Sequence, residues 1–198
     1  MRYFLAHHGV KGQKWGIRRY QDSEGHHTEL GRKRDRARGK VFVSGTSKLQ
    51  DKTSTYYRNG LPKPVKKEID GYIRDKKRII VGDAPGIDTA VQEYLAKKNY
   101  KKVTVYGTDY IRENKGGWKE KISDGSRYEE GSKEWHAVKD KAMQNDAYEG
   151  LAVILENGGA SATRKNVEAL VSQNKKVKIY ELRGIETDKL DTWIKELD

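Results

Sequence analysis

Three short apolar runs, each followed by a glycine-rich turn, constrain this chain more than any other feature of its sequence. The runs are 41–43, 79–81 and 151–155, and the turns after them read SGTS (44–47), GDAPGID (82–88) and NGGASAT (157–163). β-Branched runs of this length are typical of buried strands. Glycine lets the backbone approach a ligand, and N–H groups at a helix N-terminus favour an anion. The three turns together predict a pocket for a phosphate or a nucleotide.

Strand-like and helix-like segments alternate from residue 40 onward. Pro62 and Pro64 mark a helix entrance, and Asn99 and Asn174 mark helix ends. Strands separated by helices predict an α/β fold, a Rossmann-like parallel sheet flanked by helices, which binds ligands beyond the carboxyl ends of its strands. The predicted strands are 40–44, 78–82, 102–106, 151–155 and 176–180; the predicted helices are 64–76, 87–98, 132–146, 160–173 and 186–197; the longest loops are 46–63 and 107–130.

Charge divides the chain near Gly39. Residues 1–40 hold eleven Lys or Arg and four acidic residues, which is seven of the net +12 charge of the 198-residue chain. We therefore predict a basic, flexible arm over 1–39 and one domain over 40–198. The arm is either a solvated tail or a contact to nucleic acid or an acidic protein surface, and 32–40 is the segment suited to phosphates.

Composition excludes several classes of protein. The chain has no cysteine, and therefore no disulfide framework and no zinc–cysteine site. No apolar run approaches the roughly 20 residues that span a bilayer, so we expect a soluble, cytoplasmic protein with no membrane partner. The four histidines of the arm lie in a glycine-rich segment without cysteine, so we predict no metal site. A homo-oligomer is left open.

The turns after the first two runs supply one group of ligand-binding candidates. Their hydroxyls either donate to a phosphate or close the turn locally. Asp88 either accepts ribose hydroxyls or stabilises the start of the helix. Asp83 orients a ribose or acts as a base, which makes it a candidate catalytic residue. The whole group is Ser44, Gly45, Thr46, Ser47, Gly82, Asp83, Gly86 and Asp88.

The third turn is the best phosphate candidate, because small residues at a helix start allow close backbone approach. Glu156 ends the preceding strand at the same rim. It is the second catalytic candidate beside Asp83, and a salt bridge at the rim is its alternative role. The ligand-binding candidates of this turn are Asn157, Gly158, Gly159, Ser161 and Thr163.

The predicted helix 132–146 adds Lys139 and Asp140, for which pocket and surface positions are both open. Met143 lies four residues after Lys139 on the same helix face and is predicted to be core. His136, the only histidine outside the arm, is predicted to be a surface or packing residue. The loop 107–130 interleaves aromatic and basic residues, so we expect a lid over the pocket.

These motifs together give the domain its resemblance to the SLOG superfamily of Rossmann-like proteins, which includes the DNA-processing Smf proteins and the Lonely Guy cytokinin-activating enzymes. The likeness covers about residues 40–182 and lies in four motifs in the same order: SGTS, GDAPGID, the pair Lys139-Asp140 ahead of Met143, and NGGASAT. It implies a bound nucleotide, nucleotide sugar or NAD-derived molecule. It does not specify a reaction.

Two departures from that family bear on the reaction. Ala162-Thr163 stand where relatives have Gly-Thr, and Lys165 and Asn166 occupy the region where the Lonely Guy phosphoribohydrolases carry a glutamate. Both weaken the case for N-glycosidic hydrolysis of that kind.

The segment HHGVKGQKWGIRRYQ, residues 7–21, resembles a short motif of tailed-phage head proteins and capsid-associated fusions. Arginine and aromatic side chains with little helical period suit docking into a groove with folding on binding. The resemblance implies phage head proteins as partners. It also implies a protein that works in the host cytoplasm or is packaged in the phage particle.

We therefore expect a phage-encoded protein that binds a nucleotide, ADP-ribose or NAD-derived ligand. If it is an enzyme, cleavage or transfer at a ribosyl bond is the expected reaction. The alternatives are a DNA-binding protein of the Smf type and a structural head protein with a non-catalytic pocket. Most of the excess charge lies in the arm and not in the domain, which favours the small ligand over DNA.

Overall fold

The computed structural model describes residues 28–29, 39–47, 60–155, 161–182 and 194–197. The chain divides into two units, Met1–Arg38 and Gly39–Asp198, and the fold described here is that of the second. Its elements are β1 Lys40–Gly45, α1 Lys63–Arg74, β2 Arg78–Gly82, α2 Ile87–Lys97, β3 Val103–Thr108, β4 Lys119–Ser123, α3 Lys133–Asp146, β5 Glu149–Leu155, α4 Ala162–Ser172, β6 Lys176–Leu182 and β7 Ile194–Leu197.

One sheet carries the whole domain, in the strand order β4-β3-β2-β1-β5-β6-β7. The first six strands of that order are parallel, and β7 pairs antiparallel with β6. The chain builds outward from β1 in one direction and from β5 in the other, so the strand order reverses between β1 and β5. The predicted Rossmann-like α/β fold is confirmed, and the reversal marks the carboxyl ends of these two strands as the place where folds of this kind bind ligands.

Side-chain alternation along the strands gives the sheet two covered faces. Val41 and Val43 pack with residues of α1 and α2 on one face. Phe42 and Ile80 pack with Met143 of α3 and with α4 on the other. Because both faces are buried, β1 and β2 read as continuous apolar runs and not as alternating patterns.

Most helix boundaries agree with the sequence signals. Pro62 is the N-cap of α1. Asn99 and Asn174 follow α2 and α4 with φ of 52° and 56°, the left-handed conformation that ends a helix. None of the described helices is long and apolar enough to cross a membrane.

Two predicted segments differ from the structure. The predicted loop 107–130 contains the strand β4, whose residues are almost all exposed and mostly charged. Such a composition suits an edge strand and hides the strand pattern. The predicted helix 186–197 is wrong over Ile194–Leu197, which form β7 on the edge of β6; residues 186–193 lie outside the described part. Backbone pairing with a sheet edge outweighs the local helix preference there.

Candidate functional site

The turns after β1 and β2 pack directly against each other at the carboxyl edge of the sheet. The Ile87 N–H donates to the Thr46 carbonyl oxygen at 3.0 Å. Gly86 has φ of +93°, and a Cβ there would overlap that carbonyl and lie 2.5 Å from Ser47 Cα; a Cβ on Gly45 would overlap the Ile87 side chain. In this structure, Gly45 and Gly86 are therefore required for the contact between the two turns.

Gly82 leaves space for charged side chains. A Cβ at Gly82 would overlap Asp88 Oδ2 and lie 2.7 Å from Lys139 Nζ. Ile80 faces α3, so Gly82, two residues later, faces the same helix. The end of β2 thus brings together side chains from α2 and α3. We call Asp83, Asp88, Arg112, Lys139 and Asp140 the buried charge cluster.

Lys139 is the centre of the buried charge cluster. It is 4% exposed. Its Nζ lies 3.6 Å from Asp83 Oδ1, 3.9 Å from Asp88 Oδ2 and 3.8 Å from Asp140 Oδ1. These are ion-pair distances, and this ammonium donates no hydrogen bond to any of the described residues. Buried polar groups are ordinarily hydrogen-bonded, so the donors of Lys139 call for an explanation.

Asp83 is held by Arg112. Its carboxylate accepts from the Arg112 backbone N–H at 2.9 Å, from Nε at 3.1 Å and from Nη2 at 2.7 Å. Burial opposes ionisation of Asp83, but these hydrogen bonds and the nearby Lys139 outweigh it and keep its pKa below the ordinary value. Asp83 is therefore a fixed anion, and its contact with Arg112 was not predicted from the sequence.

Asp88 differs from Asp83 in its surroundings. It lies in the first turn of α2, is 7% exposed, and accepts from the Ala84 N–H at 3.3 Å. Burial raises the pKa of the Asp88 carboxyl to about 7; Lys139 opposes the rise, and Asp140 and Asp83 add to it. A carboxyl that titrates near neutral pH can donate and accept protons.

A chain of amide and hydroxyl groups links the cluster to β1 and α4. Asn166 is 4% exposed, and its Nδ2 donates to Ser44 Oγ at 3.0 Å and to Asp140 Oδ2 at 3.1 Å. Gln144 Nε2 donates to Asn166 Oδ1 at 2.8 Å. Asn166 thus connects two predicted ligand-binding residues, Ser44 and Asp140.

The third turn is described only in part. Ser161 is the N-cap of α4 and accepts from the Arg164 N–H at 3.2 Å. Thr163 is buried one turn before Asn166 on the same face of α4. Glu156, Asn157, Gly158 and Gly159 lie outside the described residues, so their predicted roles stay predictions.

Aromatic side chains border the cluster. Trp135 is buried, with the Tyr110 ring centroid 5.9 Å and the His136 ring centroid 4.9 Å from its own. The Arg112 guanidinium lies 6.0 Å from the Trp135 ring. Burial lowers the pKa of His136, and Arg112 and Lys139 add to this effect. His136 is thus a half-buried neighbour of the cluster, on the helix face that also carries Lys139 and Asp140.

Gln92 fixes the segment that carries Arg112. Its Nε2 donates to the Gly82 carbonyl at 2.9 Å and to the Glu113 carbonyl at 3.2 Å, and its Oε1 accepts from the Lys115 N–H at 2.9 Å. Farther along, buried Trp118 donates its indole N–H to the Tyr100 carbonyl at 2.8 Å. Gln92 was not predicted from the sequence. Its spacing from Asp88, four residues apart on α2, places both on one face and is the signal that could have indicated it.

The site combines carboxylates, which accept hydrogen bonds from hydroxyls, with an ammonium and a guanidinium, which donate to anionic oxygens. Across the described ranges, no group of three His, Cys, Asp or Glu side chains is arranged to hold a metal ion. Comparison with protein-family models, with curated proteins and with solved structures gives no match for this chain.

Proposed function

We propose that this protein binds a nucleotide-derived ligand, namely a nucleotide, ADP-ribose or an NAD-derived molecule, at the carboxyl edge of the sheet. The observation that carries the proposal is Lys139, a buried ammonium that lies among three carboxylates at ion-pair distance and donates no hydrogen bond to any described residue. A ligand oxygen that accepts from Lys139 Nζ satisfies the ammonium, and ligand hydroxyls donate to the carboxylates around it. The resemblance to the SLOG superfamily is part of the same proposal.

The ribosyl part of the ligand fits the buried charge cluster best. A vicinal diol donates two hydrogen bonds and accepts others, which matches carboxylates placed beside an ammonium. The phosphate belongs nearer to the start of α4, where Ser161 and Thr163 lie and where the strand order reverses. Cleavage or transfer at the ribosyl bond is the reaction we propose if the ligand turns over.

The arm carries a second part of the proposal. We infer that residues 7–21 direct the protein to phage head proteins, so that it is packaged or works beside them in the host cytoplasm, and that 32–40 contact nucleic acid. Lys40 is paired with Asp146, so this contact is made by the basic residues of 32–38. Residues 7–21 and 32–38 lie outside the described part of the chain. A fusion of residues 1–38 to a fluorescent protein should enter particles during phage growth. Exclusion of the fusion while the full chain is packaged contradicts this role.

Native mass spectrometry of the purified full chain tests for a bound nucleotide. A thermal-shift panel of NAD, ADP-ribose, cyclic nucleotides and nucleoside monophosphates then identifies the class. A ligand at about 100 times its Kd stabilises the folded state by about 2.7 kcal/mol, which raises the melting temperature by about 5–10 °C. No bound mass and no shift with any member of the panel would contradict the proposal.

Substitution of Lys139 tests the site. Lys139→Met should weaken binding of the best ligand from the panel about 10- to 150-fold, since a charge-assisted hydrogen bond contributes roughly 1.5–3 kcal/mol. Lys97→Met is the matched control, because Lys97 is an exposed lysine at the end of α2. Equal affinities of the two variants would place the ligand elsewhere.

A further inference from the structure

We propose that Asp88 is the proton-carrying carboxyl of this site, and that Asp83 is a fixed anion that positions Arg112. The proposed role toward a ligand depends on the proposed function, but the protonation state of Asp88 does not. The sequence pointed to Asp83 as the catalytic carboxylate, and the hydrogen bonds of the two residues reverse that assignment.

Asp83 has little capacity left for a proton. Both of its carboxylate oxygens accept from the Arg112 side chain, and Oδ2 accepts from the Arg112 backbone N–H as well. A proton on Asp83 would break the paired contact with the guanidinium and leave a partly buried cation without its partner. Asp83 therefore remains ionised across the neutral range.

Asp88, in contrast to Asp83, has few hydrogen-bond donors around its carboxyl group. Its Oδ2 accepts one long hydrogen bond, from the Ala84 N–H at 3.3 Å, and lies 3.9 Å from Lys139 Nζ. Its Oδ1 has no hydrogen-bond partner among the described residues. Burial of an ionised carboxylate with so few hydrogen-bond donors destabilises the folded state, and protonation removes that destabilisation. Asp140, by contrast, accepts from Asn166 and is more exposed than Asp88.

The charges around Asp88 favour exchange of that proton in place of permanent protonation. Asp83 and Asp140 raise its proton affinity, whereas Lys139 lowers it. Arg112 is a further charged neighbour of Asp88, and the Asp88 carboxylate helps to raise the pKa of the Arg112 guanidinium. His136 of α3 borders the cluster. Burial lowers the pKa of its imidazole, and Asp140 and Asp83 oppose that effect. With opposing charges on both sides, the pKa of the Asp88 carboxyl is raised to about 7 and not to an extreme.

The proposed reaction uses both forms of this carboxyl. The protonated carboxyl donates its proton to the leaving nitrogen as the C1′–N bond breaks and the bonding electron pair moves to that nitrogen. A water molecule forms the new bond to C1′ through its oxygen and gives one proton to the Asp88 carboxylate. Asp88 returns to its starting form, and the overall change is addition of one water across the ribosyl bond.

Carbon NMR of the full chain labelled with aspartate ¹³Cγ tests the proposal without any ligand. Over pH values from about 4 to about 9, one resonance should titrate near neutrality, well above the ordinary range for aspartate. It should be absent from Asp88→Asn and from Asp88→Glu, and present in Asp140→Asn and in the control Asp75→Asn, which changes an exposed carboxyl at the C-cap of α1.

Two outcomes overturn the assignment. One is a parent spectrum in which every aspartate titrates below about pH 5, a result that requires no variant to fold. The other is a neutral resonance that survives in folded Asp88→Asn or Asp88→Glu.

Calorimetry with ADP-ribose tests the use of the proton. Titrations near neutral pH in PIPES and in Tris, which differ in ionisation enthalpy, report the protons exchanged on binding. We expect exchange in the parent and none in Asp88→Asn. Equal exchange in both proteins overturns the role toward the ligand. Absence of binding by ADP-ribose and by every nucleotide of the panel contradicts the proposed function instead, and the NMR result then stands by itself.

Discussion

At the scale of single residues, the buried charge cluster shows how similar side chains acquire different chemistry from their partners. Asp83 and Asp88 are five residues apart in one turn, and both are more than nine-tenths buried. Three hydrogen bonds from Arg112 stabilise the charged form of one, and the lack of donors disfavours the charged form of the other. The sequence predicted both residues as site candidates. It did not predict the difference, because Arg112 lies in a loop 29 residues from Asp83.

Asp88→Asn should stabilise the protein at alkaline pH and have little effect at acid pH. The pKa of Asp88 is raised from 3.8 to about 7, so its favourable contribution is complete below 3.8 and lost as pH rises through about 7. Asparagine cannot ionise, so the variant escapes that loss. At about pH 8, the free energy of unfolding from urea titration should be higher in the variant than in the parent by on the order of 2–4 kcal/mol. At about pH 4 the difference should be much smaller. A gain that does not change with pH would contradict the raised pKa.

Arg112→Met should destabilise the protein by about 2–4 kcal/mol, because it leaves the buried Asp83 carboxylate with one donor in place of three. Asp83→Asn combined with Arg112→Met should recover part of the loss, since no buried charge then lacks a partner. A double-mutant cycle measured by urea unfolding gives the coupling free energy between Asp83 and Arg112. Additive effects of the two substitutions would show that the ion pair contributes nothing.

At the scale of elements, burial decides what the sequence could predict. Strands β1, β2 and β5 are buried on both faces, and their continuous apolar runs located them to within two residues. β4 and β7 were missed because both occupy the outer positions of the described sheet. Their pairing depends on a neighbour that already exists, and not on their own residues. Gly45, Gly82 and Gly86 lie at the junction between a strand and the segment that follows it, as the sequence indicated, but their contacts depend on how two distant turns meet.

Gly86→Ala tests that contact between elements. Its φ of +93° disfavours any side chain, and a Cβ there would also overlap the backbone of the turn after β1. Gly131 is the matched control, because it has φ of +81° with nothing within 4 Å of the added Cβ. Gly131→Ala should cost about 1 kcal/mol for the backbone alone. Gly86→Ala should lower the free energy of unfolding by at least about 2 kcal/mol more than Gly131→Ala does, since overpacking adds to the backbone strain. Chemical denaturation measures both. Equal costs would mean that the turns separate easily.

At the scale of the whole molecule, topology explains why the site lies where it does. Six parallel strands bring the turns after β1, β2 and β3 to one edge, and the order reverses between β1 and β5. The alternation of strands and helices was sufficient to predict this edge as the ligand-binding edge. It was not sufficient to predict that α3 brings Lys139 Nζ next to Gly82, because that requires the three-dimensional path of the chain.

Removal of residues 1–38 should leave the domain folded and its ligand affinity unchanged. Gly39 and Lys40 must stay, because the Gly39 carbonyl accepts from the Arg78 N–H and Lys40 pairs with Asp146 at the end of α3. The truncated chain keeps both core faces and every member of the buried charge cluster. Its melting temperature should therefore lie within about 4 °C of that of the full chain, a difference of roughly 1 kcal/mol. Scanning calorimetry measures both melting temperatures. A second truncation that removes residues 1–40, and with them Gly39 and Lys40, should melt at a lower temperature. Loss of the cooperative transition in the first truncation would mean that the domain needs the arm to fold.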